Sequence, residues 1–216
     1  MLNEFSAAWN NLYKDHPSEY LIGSVTITEL DEEAKNKTFM VRCSEVVSFP
    51  SKQFNGYDMF GALTDRNCDG VLLIANPDGT CDLLYIEMKS RFSLQEVYKA
   101  KKQIVETCTK MQSLLQMIKD YTTLPIKRVY GVIETKKLDD NQEDWWLKQQ
   151  MLPEEDLQFG ERLLKHETIQ APTHCKKELN MPASMTFRIL LSDDDNFSVN
   201  YSDVLKTTYG DSQTIL

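Results

Sequence analysis

The sequence predicts an α/β fold, built on a mixed central β-sheet that is flanked by helices. Two apolar runs, residues 68–75 and 82–89, are joined by turn-forming residues at 76–79, and this pattern predicts a tight β-hairpin. A long amphipathic helix over 93–121 and another apolar strand over 127–134 follow. A strand, a helix and a strand in succession indicate a crossover connection and a parallel strand pair.

The segment before the central hairpin predicts a helix, two strands and a loop. Residues 2–14 carry apolar side chains at helical spacing, so we expect an amphipathic helix there. Residues 20–30 and 38–47 flank a polar turn and predict a second hairpin. Residues 48–67 contain one proline and two glycines, which indicate a loop.

The helix over 93–121 carries the clearest signals in the chain. Ser93 is the expected N-cap, and Glu96 three residues later completes a capping box. Apolar side chains then recur at steps of three and four residues: Val97, Ile104, Cys108, Met111, Leu115 and Ile118.

The chain is expected to form a single domain over 1–216, with a core at about 38–135 and a C-terminal extension at about 139–216. The extension is acidic at its start and is then interrupted by prolines. Residues 185–192 and 197–204 predict a C-terminal hairpin appendage.

Composition limits the environment and the partners of this protein. Hydrophobic residues make up 41% of the 216, enough for a core, and no run of about 18 apolar residues indicates a membrane-spanning helix. Five scattered cysteines and an N-terminus without signal-peptide features predict a cytoplasmic protein with reduced thiols. The net charge of −9 disfavours a simple nucleic-acid binder, but allows a local basic site or an acidic surface that docks a protein partner.

Asp69, Glu87 and Lys89 are the strongest candidates for a functional site. Folding about the hairpin turn places Asp69 opposite Glu87 to within about one residue, and Lys89 shares the face of Glu87. Two carboxylates and an ammonium that converge in this way can hold a divalent cation and activate water. The same Glu-x-Lys spacing at 33–35 and 134–136 has no facing acid. The alternative is that Asp69 is only a strand-end residue and that Glu87 and Lys89 form a surface pair.

This pattern resembles the PD-(D/E)XK nuclease superfamily over roughly residues 60–135. Its members share a mixed sheet flanked by helices, with an Asp at the start of one strand and Glu-x-Lys at the end of the next. The resemblance implies a restriction-endonuclease-like catalytic core in which Asp69 and Glu87 bind Mg²⁺ or Mn²⁺ and Lys89 orients or activates the attacking water. Cys68 departs from the pattern, because the family usually has a proline before the Asp.

The resemblance also implies further site residues. The backbone carbonyl of Met88 would add a metal ligand. On the following helix, Gln103 or Lys102 would lie near the scissile phosphate. An upstream glutamate would complete the metal shell, and both Glu45 and Glu4 are candidates.

The expected function is therefore a metal-dependent nuclease, or endonuclease, with DNA expected rather than RNA. A homodimer is an expectation by analogy with endonucleases that cut both strands. A lowered pKa would let Lys89 act as a base. The alternative is a catalytically silent or partner-activated subunit of nuclease fold that acts in protein–protein interaction. A different metal-dependent hydrolysis is a third interpretation.

Overall fold

The computed structural model describes residues 1–29, 38–50, 67–90, 93–118, 124–135, 154–165, 167, 169–172, 182–192 and 194–206. In the described residues the helices are α1 (Leu2–Leu12), α2 (Leu94–Leu115), α3 (Glu154–Leu164) and the short α4 (Tyr201–Val204). The strands are β1 (Glu19–Thr28), β2 (Thr38–Pro50), β3 (Gly70–Ala75), β4 (Cys81–Lys89), β5 (Ile126–Thr135), β6 (Ile169–Pro172), β7 (Ser184–Leu191) and β8 (Asn196–Asn200).

These eight strands form one mixed, open sheet in the order β1-β2-β3-β4-β5-β7-β6, with β8 paired to β2. Neighbours from β1 to β4 are antiparallel, whereas β4, β5 and β7 run parallel to one another. The predicted α/β fold with a mixed sheet flanked by helices is confirmed. The predicted crossover is also confirmed, because α2 connects the parallel strands β4 and β5.

The central hairpin has the predicted turn. β3 pairs with β4 from Ala75–Cys81 to Gly70–Ile86, and the backbone N–H of Asn76 donates to the carbonyl of Thr80 at 2.8 Å. Gly79 has a φ of +81°, a left-handed conformation that glycine adopts without a steric penalty. The second predicted hairpin is confirmed as well, since β1 and β2 pair antiparallel.

A β-bulge in the hairpin of β1 and β2 changes which side chains face the helices. Ile22 pairs with Glu45 but Gly23 pairs with Cys43, so Ser44 is an additional residue, and Gly23 has a φ of +91°. The bulge inverts the alternation of side chains along β2. After the bulge, Val47 and Phe49 pack under the helices, whereas before it Phe39 and Val41 pack on the opposite face.

The sheet has a different cover on each face. Helices α1, α2 and α3 pack on one face, through a core that includes Trp9, Ile104 and Phe159. The other face is covered by the outer part of β1 and β2 together with β8 and α4. Ile27 of β1 reaches over Gly70 of β3, where a Cβ would lie 2.6 Å from its Cδ1. The outer end of β1 therefore lies above the start of the central hairpin.

The predicted C-terminal hairpin is wrong. β7 lies between β5 and β6 inside the sheet, and β8 pairs in parallel with β2 instead of with β7. Residues Tyr201–Val204 are helical and do not continue the strand. The burial patterns explain the difference: β7 is buried on both faces from Phe187 to Leu190 and needs a central position, whereas β8 alternates between buried and exposed.

Helix α2 begins as predicted, because the Ser93 hydroxyl accepts a hydrogen bond from the N–H of Glu96 at 3.1 Å. The helix ends at Leu115, earlier than predicted, and 119–123 lie outside the described residues. The predicted loop over 48–67 is shortened by β2, which continues to Pro50, and 51–66 are likewise not described. Within the part of the chain that the structure describes, no helix is long and apolar enough to cross a membrane.

Candidate functional site

Asp69 and Glu87 meet at the open end of the central hairpin. The β3–β4 register continues to an Asp69–Glu87 pair, since Gly70 is opposite Ile86. A carboxylate oxygen of Asp69, Oδ2, accepts a hydrogen bond of 2.6 Å from the backbone N–H of Met88. The Met88 side chain is buried on the far face of the sheet, so only the backbone of this residue faces Asp69.

Lys89 lies on the same sheet face as Glu87, beneath α2, and Gln103 of α2 contacts it. The Lys89 ammonium donates to Glu87 Oε1 in a short ion pair and to Gln103 Oε1 at 3.0 Å. The Gln103 amide nitrogen in turn donates to the carbonyl of Asn67 at 3.1 Å. This second bond fixes the orientation of the amide, so that its oxygen faces Lys89.

Burial and like charge shape the acidity of both carboxyl groups. Glu87 is only 1% exposed, and burial raises its pKa to about 7 although Lys89 opposes the change. The pKa of Asp69 lies well above its ordinary value because of burial, followed by repulsion from Glu87 and from Glu29. Two carboxylates that resist ionisation side by side are a frequent feature of functional sites.

The pKa of Lys89 is raised in the structure, whereas the sequence-based hypothesis for a base required a lowered pKa. Burial lowers this pKa, but the carboxylates of Glu87 and Asp69 outweigh burial and hold it above the ordinary lysine value. Lys89 is therefore an ammonium ion in this arrangement and donates hydrogen bonds to its neighbours.

Glu29 is a third carboxylate near the site, and the sequence did not point to it. It follows β1 and raises the pKa of both Asp69 and Glu87 through its charge. It lies two residues beyond Ile27, which packs over Gly70 at the start of β3. No local sequence signal could have indicated this long-range contact.

A polar stripe on α2 holds the segment that leads into Asp69. Thr107 accepts from the N–H of Cys68 at 2.8 Å, and Lys110, only 4% exposed, donates to Asn67 Oδ1 at 2.8 Å. Gln103 contacts the same segment through the Asn67 carbonyl. The stripe at 103, 107 and 110 has helical spacing beside the apolar positions of α2, which is the sequence signal that could have revealed it.

Thr135 is another neighbour that sequence reasoning missed. It ends β5 opposite Lys89 in the parallel β4–β5 register and is fully buried. Its hydroxyl oxygen has no hydrogen-bond partner among the described residues. The carboxyl ends of parallel strands are a common position for ligand sites in α/β folds, and Lys89 and Thr135 both lie at such an edge.

The structure does not bring the other predicted site residues to Asp69. Glu45 lies next to Ala75 in the β2–β3 register, about 20 Å along β3 from Asp69, and accepts a hydrogen bond from Tyr20. The Glu4 side chain is 90% exposed beside the chain's amino group. Of the two candidates on α2, Gln103 contacts Lys89, whereas Lys102 is exposed with its ammonium over the ring of Tyr98.

The donor atoms at the hairpin end suit a hard divalent cation. Glu87 Oε2 is buried and has no hydrogen-bond partner among the described residues, while Oε1 is bound to Lys89. No group of three or more His, Cys, Asp and Glu side chains in those residues has a geometry that could hold a metal ion. Magnesium needs fewer protein ligands than that, because it is usually bound by one or two carboxylates, several waters and substrate phosphates. Asp69 and Glu87 meet this requirement.

Comparison with known proteins adds no family to this description. No family model, no curated protein and no solved structure matches the chain.

Proposed function

We propose that this protein is a metal-dependent nuclease with a restriction-endonuclease-like core. The observation that carries the proposal is the state of Glu87. This carboxyl group is buried, its Oε1 is bound to Lys89, and its Oε2 has no hydrogen-bond partner among the described residues. An unsatisfied buried carboxylate is costly, and a cation that binds it together with Asp69 would offset that cost.

Asp69 and Glu87 would hold Mg²⁺ or Mn²⁺, and the resemblance adds the carbonyl of Met88. When bound, the cation neutralises developing negative charge on a phosphodiester and lowers the pKa of a coordinated water. The N–H of Met88 donates a hydrogen bond to one oxygen of the Asp69 carboxylate and so fixes its orientation. Glu29 adds negative charge beside both groups and strengthens the attraction for a cation.

Lys89 would position the reacting groups as an ammonium. It is held from two sides, by Glu87 and by the oriented amide of Gln103, so little conformational freedom remains to be lost when substrate binds. Its charge would stabilise a phosphoryl oxygen or orient a water through a hydrogen bond. Gln103 acts through Lys89 and is a positioning residue.

The resemblance favours DNA as the substrate. The net charge of −9 disfavours a simple nucleic-acid binder, but a bound cation and Lys89 would place positive charge at the site itself. The same net charge favours the alternative function, a silent or partner-activated subunit that binds another protein.

Cleavage assays with matched variants test the proposal. Wild type, Asp69→Asn and Lys89→Met are incubated with plasmid and single-stranded DNA, with Mg²⁺, with Mn²⁺ and with EDTA. Glu45→Gln is the control, because Glu45 is a partly exposed carboxylate that lies away from the site. Cation-dependent cleavage by wild type and by the control, with loss in both site variants, supports the nuclease.

Two outcomes would count against it. Equal cleavage by all four proteins would mean that the assignment of the site is wrong. No cleavage by folded wild-type protein, together with no effect of either cation on its melting temperature, would favour the interaction subunit.

A further inference from the structure

A second polar region lies on the sheet face opposite the candidate metal site. Alternate residues of a strand share a face, and Tyr130 of β5 is opposite Thr186 of β7. The side chains of Arg128, Tyr130, Thr186 and Arg188 therefore lie on one face, which we call the Arg188 face. Glu87 and Lys89 point to the other side, beneath α2.

Arg188 is a buried cation that has no anionic partner among the residues the structure describes. It is 9% exposed, and its Nη1 donates to the carbonyl of Phe187 at 3.2 Å. Its Nε is buried and has no hydrogen-bond partner in the part of the chain that the structure describes. Glu134 is buried on the same face, but no salt bridge between described residues joins it to Arg188. Burial lowers the pKa of Arg188, which is the expected response of an uncompensated charge.

The neighbouring Arg128, on the same face, has a carboxylate partner that compensates its charge. Its Nε donates to both carboxylate oxygens of Asp82, each at 3.0 Å, and the Tyr201 hydroxyl donates to the same carboxylate. Asp82 thus compensates Arg128. The guanidinium carbons of Arg128 and Arg188 each lie 6.0 Å from the ring centroid of Tyr130, so the two cations share a neighbour. In the described part of the chain, only Arg128 has a counter-ion.

We propose that the Arg188 face binds a small phosphate dianion, as inorganic phosphate or as the terminal phosphate of a nucleotide. A guanidinium matches the oxygens of a phosphate with two parallel hydrogen bonds, and Arg188 retains an unused donor for them. The half-buried Thr186 and Ser184, at alternate positions of β7, place hydroxyl donors on the same face. A small dianion fits better than a polymer backbone, because only 9% of Arg188 is exposed. This inference does not rest on the proposed nuclease function, since the two sites lie on opposite faces.

Phosphate titrations at constant ionic strength test the inference. Calorimetry and melting temperature are measured for wild type in EDTA, with inorganic phosphate, with adenosine 5′-monophosphate, and with chloride as the reference anion. We expect both phosphates to bind and to raise the melting temperature. Arg188→Met should weaken binding by about ten- to a hundredfold, since it removes charge-assisted hydrogen bonds. Arg162→Met is the matched control, because Arg162 lies on α3 and pairs with Glu167.

Further variants keep the test decisive. If Arg188→Met does not fold, Thr186→Val replaces it, and weaker binding of phosphate is expected. Asp69→Asn should bind phosphate like wild type, which separates this site from the metal site. A response to phosphate no larger than to chloride, or one retained in Arg188→Met, overturns the proposal. Arg188-dependent binding seen only with an oligonucleotide that lacks a terminal phosphate overturns the assignment to a small phosphate dianion.

Discussion

The burial of Glu87 leads to a quantitative prediction about stability and pH. Glu87→Gln keeps the size and shape of the side chain but removes its ionisation. The pKa of Glu87 is raised from the ordinary 4.5 to about 7, chiefly by burial. A difference of about 2.5 in pKa, at about 1.4 kcal/mol per pKa unit, corresponds to about 3 kcal/mol.

The sign follows from which state holds the proton. Between pH 4.5 and about 7 the folded protein keeps Glu87 protonated, whereas the unfolded chain does not. The free energy of unfolding of wild type therefore falls as the pH rises through this range. Glutamine does not titrate, so the free energy of unfolding of the variant does not fall in this way. Removing the Glu87 charge also removes one cause of the raised pKa of Asp69, which adds to the same difference.

Urea unfolding at about pH 5 and about pH 8, in EDTA, measures the effect through tryptophan fluorescence, to which the buried Trp9 contributes. We expect Glu87→Gln and wild type to be similar at the lower pH and the variant to be more stable by about 3 kcal/mol at the higher pH. Glu45→Gln is the control for the loss of one carboxyl group, because Glu45 is partly exposed and lies away from the site. A Glu87→Gln protein that is no more stable than wild type at about pH 8 would refute the reasoning.

Three other predictions concern the metal, the polar stripe of α2 and the contact beneath β1. Mg²⁺ or Mn²⁺ should raise the melting temperature of wild type more at about pH 8 than at about pH 6, because the cation needs ionised Glu87, and Asp69→Asn should show little response. Thr107→Val leaves the N–H of Cys68 without its acceptor, so urea unfolding should show a loss of about 1–3 kcal/mol, whereas Thr109→Val on the same helix should lose less. Gly70→Ala places a Cβ against Ile27 and should cost about 1–3 kcal/mol by the same measurement; addition of Ile27→Val, which removes Cδ1, should recover part of that loss, and purely additive costs would contradict the contact.

Features encoded within a short stretch of chain could be predicted from the sequence. The turn over 76–79 fixes the register of the central hairpin, and that register brings Asp69 to Glu87. The N-cap at Ser93 and the crossover through α2 are equally local signals. Each follows from residue types within one or two adjacent elements, where periodicity and turn chemistry are informative.

Features that depend on distant segments could not be predicted in this way. Glu29 reaches the site from the end of β1, which lies over Gly70 at the start of the central hairpin. β8 looked like the partner of β7 because the two are adjacent in sequence, yet its apolar alternation is satisfied by pairing with β2. Alternation specifies that one face of a strand is buried but does not specify against which neighbour.

Strand β4 carries two buried carboxylates that differ in their hydrogen-bond partners. Asp82 near its start and Glu87 near its end are 0% and 1% exposed, on opposite faces of the same strand. Asp82 receives three hydrogen bonds from Arg128 and another from Tyr201, so both of its oxygens are satisfied within the protein. Glu87 has Lys89 on one oxygen and no hydrogen-bond partner for the other among the described residues. Because burial is equal, this difference in pairing distinguishes a carboxylate with a structural role from one that retains the capacity to bind a ligand.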